Sequence, residues 1–118
     1  MGAQRYNGSC QCGAVRYEVT ADLDNTVSCN CSRCGRLGSI LTFAPEQDFT
    51  LVSGEDSLSE YLFNRHAIHH LFCKVCGIQS FARGSTPEGK AMIAVNARCL
   101  EGVEPDQLNP KKVDGRSF

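Results

Sequence analysis

A chain of 118 residues with 42% apolar and 21% charged residues has the size and composition of one ordinary globular domain, with a core that is adequate but not generous. Its net charge of −1, from 12 basic against 13 acidic side chains scattered along the chain, argues against a nucleic-acid groove or an anionic membrane surface as partner. No apolar run approaches the ~18 residues that cross a bilayer, and MGAQRYNGS lacks the apolar stretch of a secretory signal, so the expected location is the cytoplasm.

The first element is a cysteine turn, GSCQCGA, which runs straight into VRYEVTA. There Val15, Tyr17 and Val19 alternate with Arg16, Glu18 and Thr20, the period of a half-buried strand. Further short strands are expected at Ser39–Ala44, Phe49–Val52, Leu58–Phe63, Ala67–Phe72, Ile78–Ala82 and Ala91–Ala97. Turn-rich stretches such as APEQD, SGED and GSTPEGK separate several of them. No window carries a sustained helical stripe, so helix is expected only as single turns near Pro45 and Pro105. The polar tail from Gln107 is expected on the surface. The pattern predicts one mainly β, sandwich-like domain over residues 1–118.

Eight cysteines stand out: Cys10, Cys12, Cys29, Cys31, Cys34, Cys73, Cys76 and Cys99. An even count permits disulfides, but without an export signal clustered cysteines point to metal or catalysis. CQCG at 10–13 and CKVCG at 73–77 share one form, two thiols followed by glycine. A short spacer lets both thiolates reach one ion from a tight turn, and the glycine permits a positive φ. Two such turns supply a full tetrahedral set, suited to zinc or a lone iron and structural in character. Loop-closure cost rises only logarithmically, so the distance between the turns is no objection.

The CNCSRC stretch at 29–34 brings three more thiols onto one loop. By spacing alone, Cys99 either completes a second closed site, leaves it open for chemistry, or is a buried apolar thiol.

GSCQCGAVRYEV, CNCSRC, FCKVCG and VNARCLEGV, in this order, resemble the glutathione-dependent formaldehyde-activating enzyme family, which shares its domain with centromere protein V. The resemblance runs from Gly8 to the DGR at 114–116, and Asn30 departs from it where close members often carry His. It implies a zinc-stabilised β-tent of short antiparallel sheets. It also implies a structural zinc on Cys10, Cys12, Cys73 and Cys76, and a catalytic zinc on Cys29, Cys31 and Cys34 at which glutathione competes for the metal. Cys99 falls outside the family's ligands, which favours an open second site. Two zinc ions are therefore expected, with a small thiol and a small aldehyde as partners. The activity implied is that of a carbon–sulfur lyase, an S-(hydroxymethyl)glutathione synthase-like enzyme.

At such a site a substrate thiol would bind as thiolate and attack the aldehyde carbon. Ser32 is a candidate hydrogen-bond partner for a ligand sulfur, and Arg36 or Arg33 a candidate partner for a substrate carboxylate, with Arg33 expected on a solvated loop face. In RHAIHH, strand geometry puts His66 and His70 on one face and His69 on the other, as packing or supporting groups rather than ligands. His70, three residues before Cys73, is the candidate supporting group. Two rival readings remain: a non-catalytic zinc module for protein interaction, and a thiol-based reductase using Cys99. A homo-oligomer is compatible with the sequence.

Overall fold

The computed structural model describes residues 2–117. It is mainly β, with strands β1 (Gln4–Ser9), β2 (Arg16–Ala21), β3 (Val27–Cys29), β4 (Leu41–Pro45), β5 (Phe49–Ser53), β6 (Leu58–Tyr61), β7 (His69–Cys73), β8 (Phe81–Ser85), β9 (Ala91–Asn96) and β10 (Lys111–Val113), and one helical turn, α1 (Cys34–Leu37). A three-stranded sheet in the order β1-β2-β5 faces a seven-stranded sheet in the order β10-β3-β4-β9-β8-β7-β6. Their pairings are antiparallel except for β10 with β3, which is parallel.

The alternation in VRYEVTA acts as expected: Val15, just before β2, and Tyr17 and Val19 on its inner face are each 1% exposed. Tyr17, Phe49 and Phe81 make a triangle of rings with centroids 4.7–5.5 Å apart, which locks the two sheets together. Ile93 and Val95 from β9 complete this core, and the cysteines Cys10 and Cys73 are buried within it.

Tight turns of 3₁₀ helix follow Pro45 and begin at Pro105, where single turns were expected. Others at Glu55–Ser57, Ala97–Cys99 and Gly115–Ser117, and α1 itself, were not expected; each is too short to carry a periodic pattern. β4, β7 and β8 begin two or three residues later than expected, at Leu41, His69 and Phe81. β7 starts at His69 because Asn64 and His66 take positive φ in the preceding turn, which removes His66 from the strand face it was to share with His70. β8 starts at Phe81 because Ile78 closes the cysteine turn, its carbonyl accepting from Cys73 N at 3.0 Å.

The tail from Gln107 lies at the surface as expected, but it also carries an element that was not expected. Lys111 and Lys112 are exposed, but the segment forms β10 and continues across the CNCSRC loop. Arg33, in the loop after β3, lies against Tyr61 on β6, the edge strand at the far end of the seven-stranded sheet. No helix among the described residues is long and apolar enough to cross a membrane.

Candidate metal centres and a neighbouring cleft

The first cluster forms between the two sheets. Cys10 and Cys12 lie on the turn between β1 and β2, and Cys73 and Cys76 on the turn leaving β7. Gly13 and Gly77 hold φ of 83° and 82°, as the spacing required. All four Sγ atoms lie within 4.8 Å of one another, an arrangement that could hold a metal ion. Cys12 Sγ is 3.7 Å from both Cys10 Sγ and Cys73 Sγ. A zinc–sulfur bond of about 2.3 Å gives a tetrahedral edge of about 3.8 Å, so the donor set fits that ion.

Backbone amides point at these sulfurs: Val15 N is 3.3 Å from Cys10 Sγ. The amide of Ile78, with that of Cys12, draws the Cys76 thiol down to about 6. For Cys12 the nearby Ala14 amide favours the thiolate, but desolvation and the neighbouring sulfurs win and push it up to about 11. Four thiols this close cannot all ionise unaided, whereas a divalent cation among them stabilises every thiolate at once.

The second cluster comprises Cys29 at the end of β3, Cys31 in the loop and Cys34 opening α1. Their sulfurs also lie within 4.8 Å of one another, and all three are half-buried. The loop turns its own amides inward, with Cys34 N 3.3 Å from Cys31 Sγ and Cys31 N 3.5 Å from Cys29 Sγ. Burial opposes ionisation of Cys31, but the amides of Cys34 and Arg33 and the neighbouring thiols of Cys34 and Cys29 outweigh it and lower its pKa; burial and the adjacent Cys31 push Cys34 up to about 12. Among the described residues no fourth cysteine, histidine or carboxylate joins the three.

Cys99 stands elsewhere. It lies near Ser80 and feels Cys10 and Cys76, and burial raises its pKa. A raised thiol is the opposite of an activated nucleophile.

Beside the second cluster opens a cleft of about 400 Å³ lined by Ser32, Arg33, Arg36, Leu37, Tyr61 and Phe63. Its charged lining is two guanidinium groups. Arg36 is exposed, and its Nη1 donates to the Ser32 carbonyl at 2.8 Å, which steers it along α1. Arg33 is not on a solvated face: it is half-buried, stacked 4.7 Å over the Tyr61 ring, with Nε and Nη2 donating to Gln79 Oε1 at 3.0 and 2.6 Å. Gln79 Nε2 in turn lies 3.4 Å from Nδ1 of the buried His70, whose ring stacks on Phe63. His70 therefore supports the cleft wall. His69 instead faces out and pairs with Glu60 at 2.8 Å.

Gln79, Tyr61 and Phe63 escaped sequence reasoning, since they meet Arg33 only through folding. The tail contact escaped it too, although the DGR triplet marks the place.

The chain matches the family described as glutathione-dependent formaldehyde-activating enzyme over residues 5–114. Among solved structures it is similar to a protein of Rhodobacter sphaeroides, with 33% identity, a TM-score of 0.80, and coverage of 90% of this chain and 97% of that one.

Proposed function

The chain belongs to the glutathione-dependent formaldehyde-activating enzyme family, and from that premise we infer that it adds a small thiol of the glutathione class to a small aldehyde such as formaldehyde, or runs the reverse carbon–sulfur cleavage. The observation that carries this reading is the three-thiol cluster on the same loop as an arginine-lined cleft, with Cys99 placed elsewhere. In it two zinc ions serve different ends, one held by Cys10, Cys12, Cys73 and Cys76 for folding, the other by Cys29, Cys31 and Cys34 for chemistry.

Zinc at the three-cysteine site would supply Lewis acidity that favours the thiolate form of an incoming thiol. The chain's own residues bind and orient. Arg36, exposed and with donors beyond the one spent on Ser32, takes a substrate carboxylate. Arg33, already committed to Gln79 and Tyr61, shapes the wall and adds positive charge. Tyr61 and Phe63 give an apolar face that limits water near the reacting sulfur. In the addition, the sulfur forms a bond to the aldehyde carbon, the carbonyl π bond breaks onto oxygen, and the thiol's proton ends on that oxygen. The S-hydroxymethyl product then contains every atom of both reactants. A reducing compartment such as the cytoplasm suits so many thiolate ligands.

Cobalt replacing zinc tests this through its ligand-field absorption. Glutathione is expected to cause a saturable spectral change that is lost in Cys31→Ser, retained in Cys99→Ser and shifted to higher thiol concentration in Arg36→Ala. If no thiol alters the spectrum of protein holding two metals, the domain is a zinc-stabilised interaction module and not this enzyme.

A further inference from the structure

We propose that the segment Lys111–Ser117 is the positioning element of the three-cysteine site, with Asn30, Asp114 and Gly115 as its working residues; this rests on reading that cluster as a metal centre. Asn30 directly follows Cys29, so whatever fixes it holds Cys29 in place. Three contacts fix it, all to the tail. Its backbone N–H donates to the Val113 carbonyl at 3.2 Å. Its side-chain Nδ2 donates to Asp114 Oδ1 at 2.9 Å, and its Oδ1 accepts from the Arg116 N–H at 2.9 Å. The other oxygen of Asp114 accepts from Ser117 Oγ at 2.6 Å, which holds the tail's own turn.

Strand pairing makes the same point. β3, which ends on Cys29, pairs with β4 at a single position, Val27 with Leu41, but with β10 along its whole length, Val113 opposite Cys29. Gly115 then passes directly over the cluster: a Cβ there would run into Cys29 Sγ and lie 3.3 Å from Cys31 Cβ. Cys31 and Cys34 are organised by their own loop and α1, since Cys34 N meets Cys31 Sγ and Gly35 N donates to the Cys31 carbonyl. Cys29 is held chiefly by the tail. A chelate made of three thiols keeps its affinity only while all three are in place, and groups that orient ligands typically contribute about 10–100-fold to metal affinity.

The test is zinc transfer from the full-length protein to a colorimetric chelator, site by site. Asp114→Ala and Gly115→Ala are expected to release one zinc about 10–100-fold more readily while the other is unchanged. Asp114→Asn, which keeps an oxygen for Asn30, is expected to behave like the wild type. A second readout needs no metal at the site: in protein carrying a single zinc, iodoacetamide should alkylate Cys29 faster, relative to Cys31, in Asp114→Ala than in the wild type or Asp114→Asn. Unchanged zinc release in both Asp114→Ala and Gly115→Ala overturns the proposal, as does an equal Cys29 to Cys31 alkylation ratio in wild type and Asp114→Ala. Should the wild type bind only one zinc, the metal reading of the cluster fails, and the alkylation ratio still decides whether the tail positions Cys29.

Discussion

His70 carries its ionisation into the cleft wall. Burial lowers its pKa from the ordinary 6.5, and the charges of Arg33 and His69 act in the same direction. Gln79 Oε1 receives both Arg33 hydrogens, so its Nε2 is the donor toward His70 Nδ1, which leaves the imidazole proton on Nε2. Above pH 6.5 the imidazole is neutral in both the folded and unfolded chain, and this arrangement contributes fully. Below it the unfolded chain takes a proton that the folded one refuses, so stability falls with pH down to the folded pKa. As pH falls below about 6.5 the melting temperature is therefore expected to drop more steeply in the wild type than in His70→Phe. Acid also loosens thiolate ligands, so the comparison is between the two proteins; parallel profiles would remove His70 from this role. At this scale the thiol clusters were legible because each ligand pair is local and spacing alone sets its reach. Arg33 was misplaced on a solvated face because its partners, Gln79 and Tyr61, are brought to it from distant strands.

Legibility among the elements followed burial. β2 buries one face and so shows its alternation, whereas β1, reading Gln-Arg-Tyr-Asn-Gly-Ser, is an exposed edge strand with no pattern to find. β3 and β10 are three residues each and exist because they pair with one another across most of the chain, a relation no local window contains. The connections are equally specific. Gly54, between β5 and the Glu55–Ser57 turn, has φ of 94°, and a Cβ there would collide with the Ala14 carbonyl and lie 2.7 Å from Val15 Cα. That turn is thus packed against the backbone that leaves the first cysteine turn. Gly54→Ala combines a left-handed backbone, costing about 1–3 kcal/mol, with a clash against main chain that has little room to yield. It is expected to lower the melting temperature by several degrees or more without altering the metal content of the folded protein. An unchanged melting temperature would mean the turn moves freely away from Ala14.

For the molecule as a whole, the two cysteine clusters occupy different structural positions, and this predicts opposite responses to their loss. The Cys10–Cys12 turn belongs to the three-stranded sheet and the Cys73–Cys76 turn to the seven-stranded one, so an ion shared by these four thiols would join the two sheets. Cys10 and Cys73 are themselves part of the core that Tyr17, Phe49 and Phe81 build. Structural zinc can contribute roughly 10–16 kcal/mol of apparent binding energy, against a total stability of about 5–15 kcal/mol for a domain, so little stability is expected to remain without it. Cys73→Ser also leaves a hydroxyl at a fully buried position among thiols that no longer have a complete ligand set. The three-cysteine cluster, by contrast, hangs on the loop after β3, next to the edge strand β10, and its sulfurs are not part of the core. Cys73→Ser is therefore expected to yield unfolded or insoluble protein, while Cys31→Ser stays folded, with circular dichroism like the wild type and about one equivalent less metal. Circular dichroism, thermal melting and metal analysis of the two variants side by side make the comparison. A soluble Cys73→Ser with wild-type melting temperature and metal content would show that the sheets are held by side-chain packing alone, with the four thiols contributing nothing to the fold.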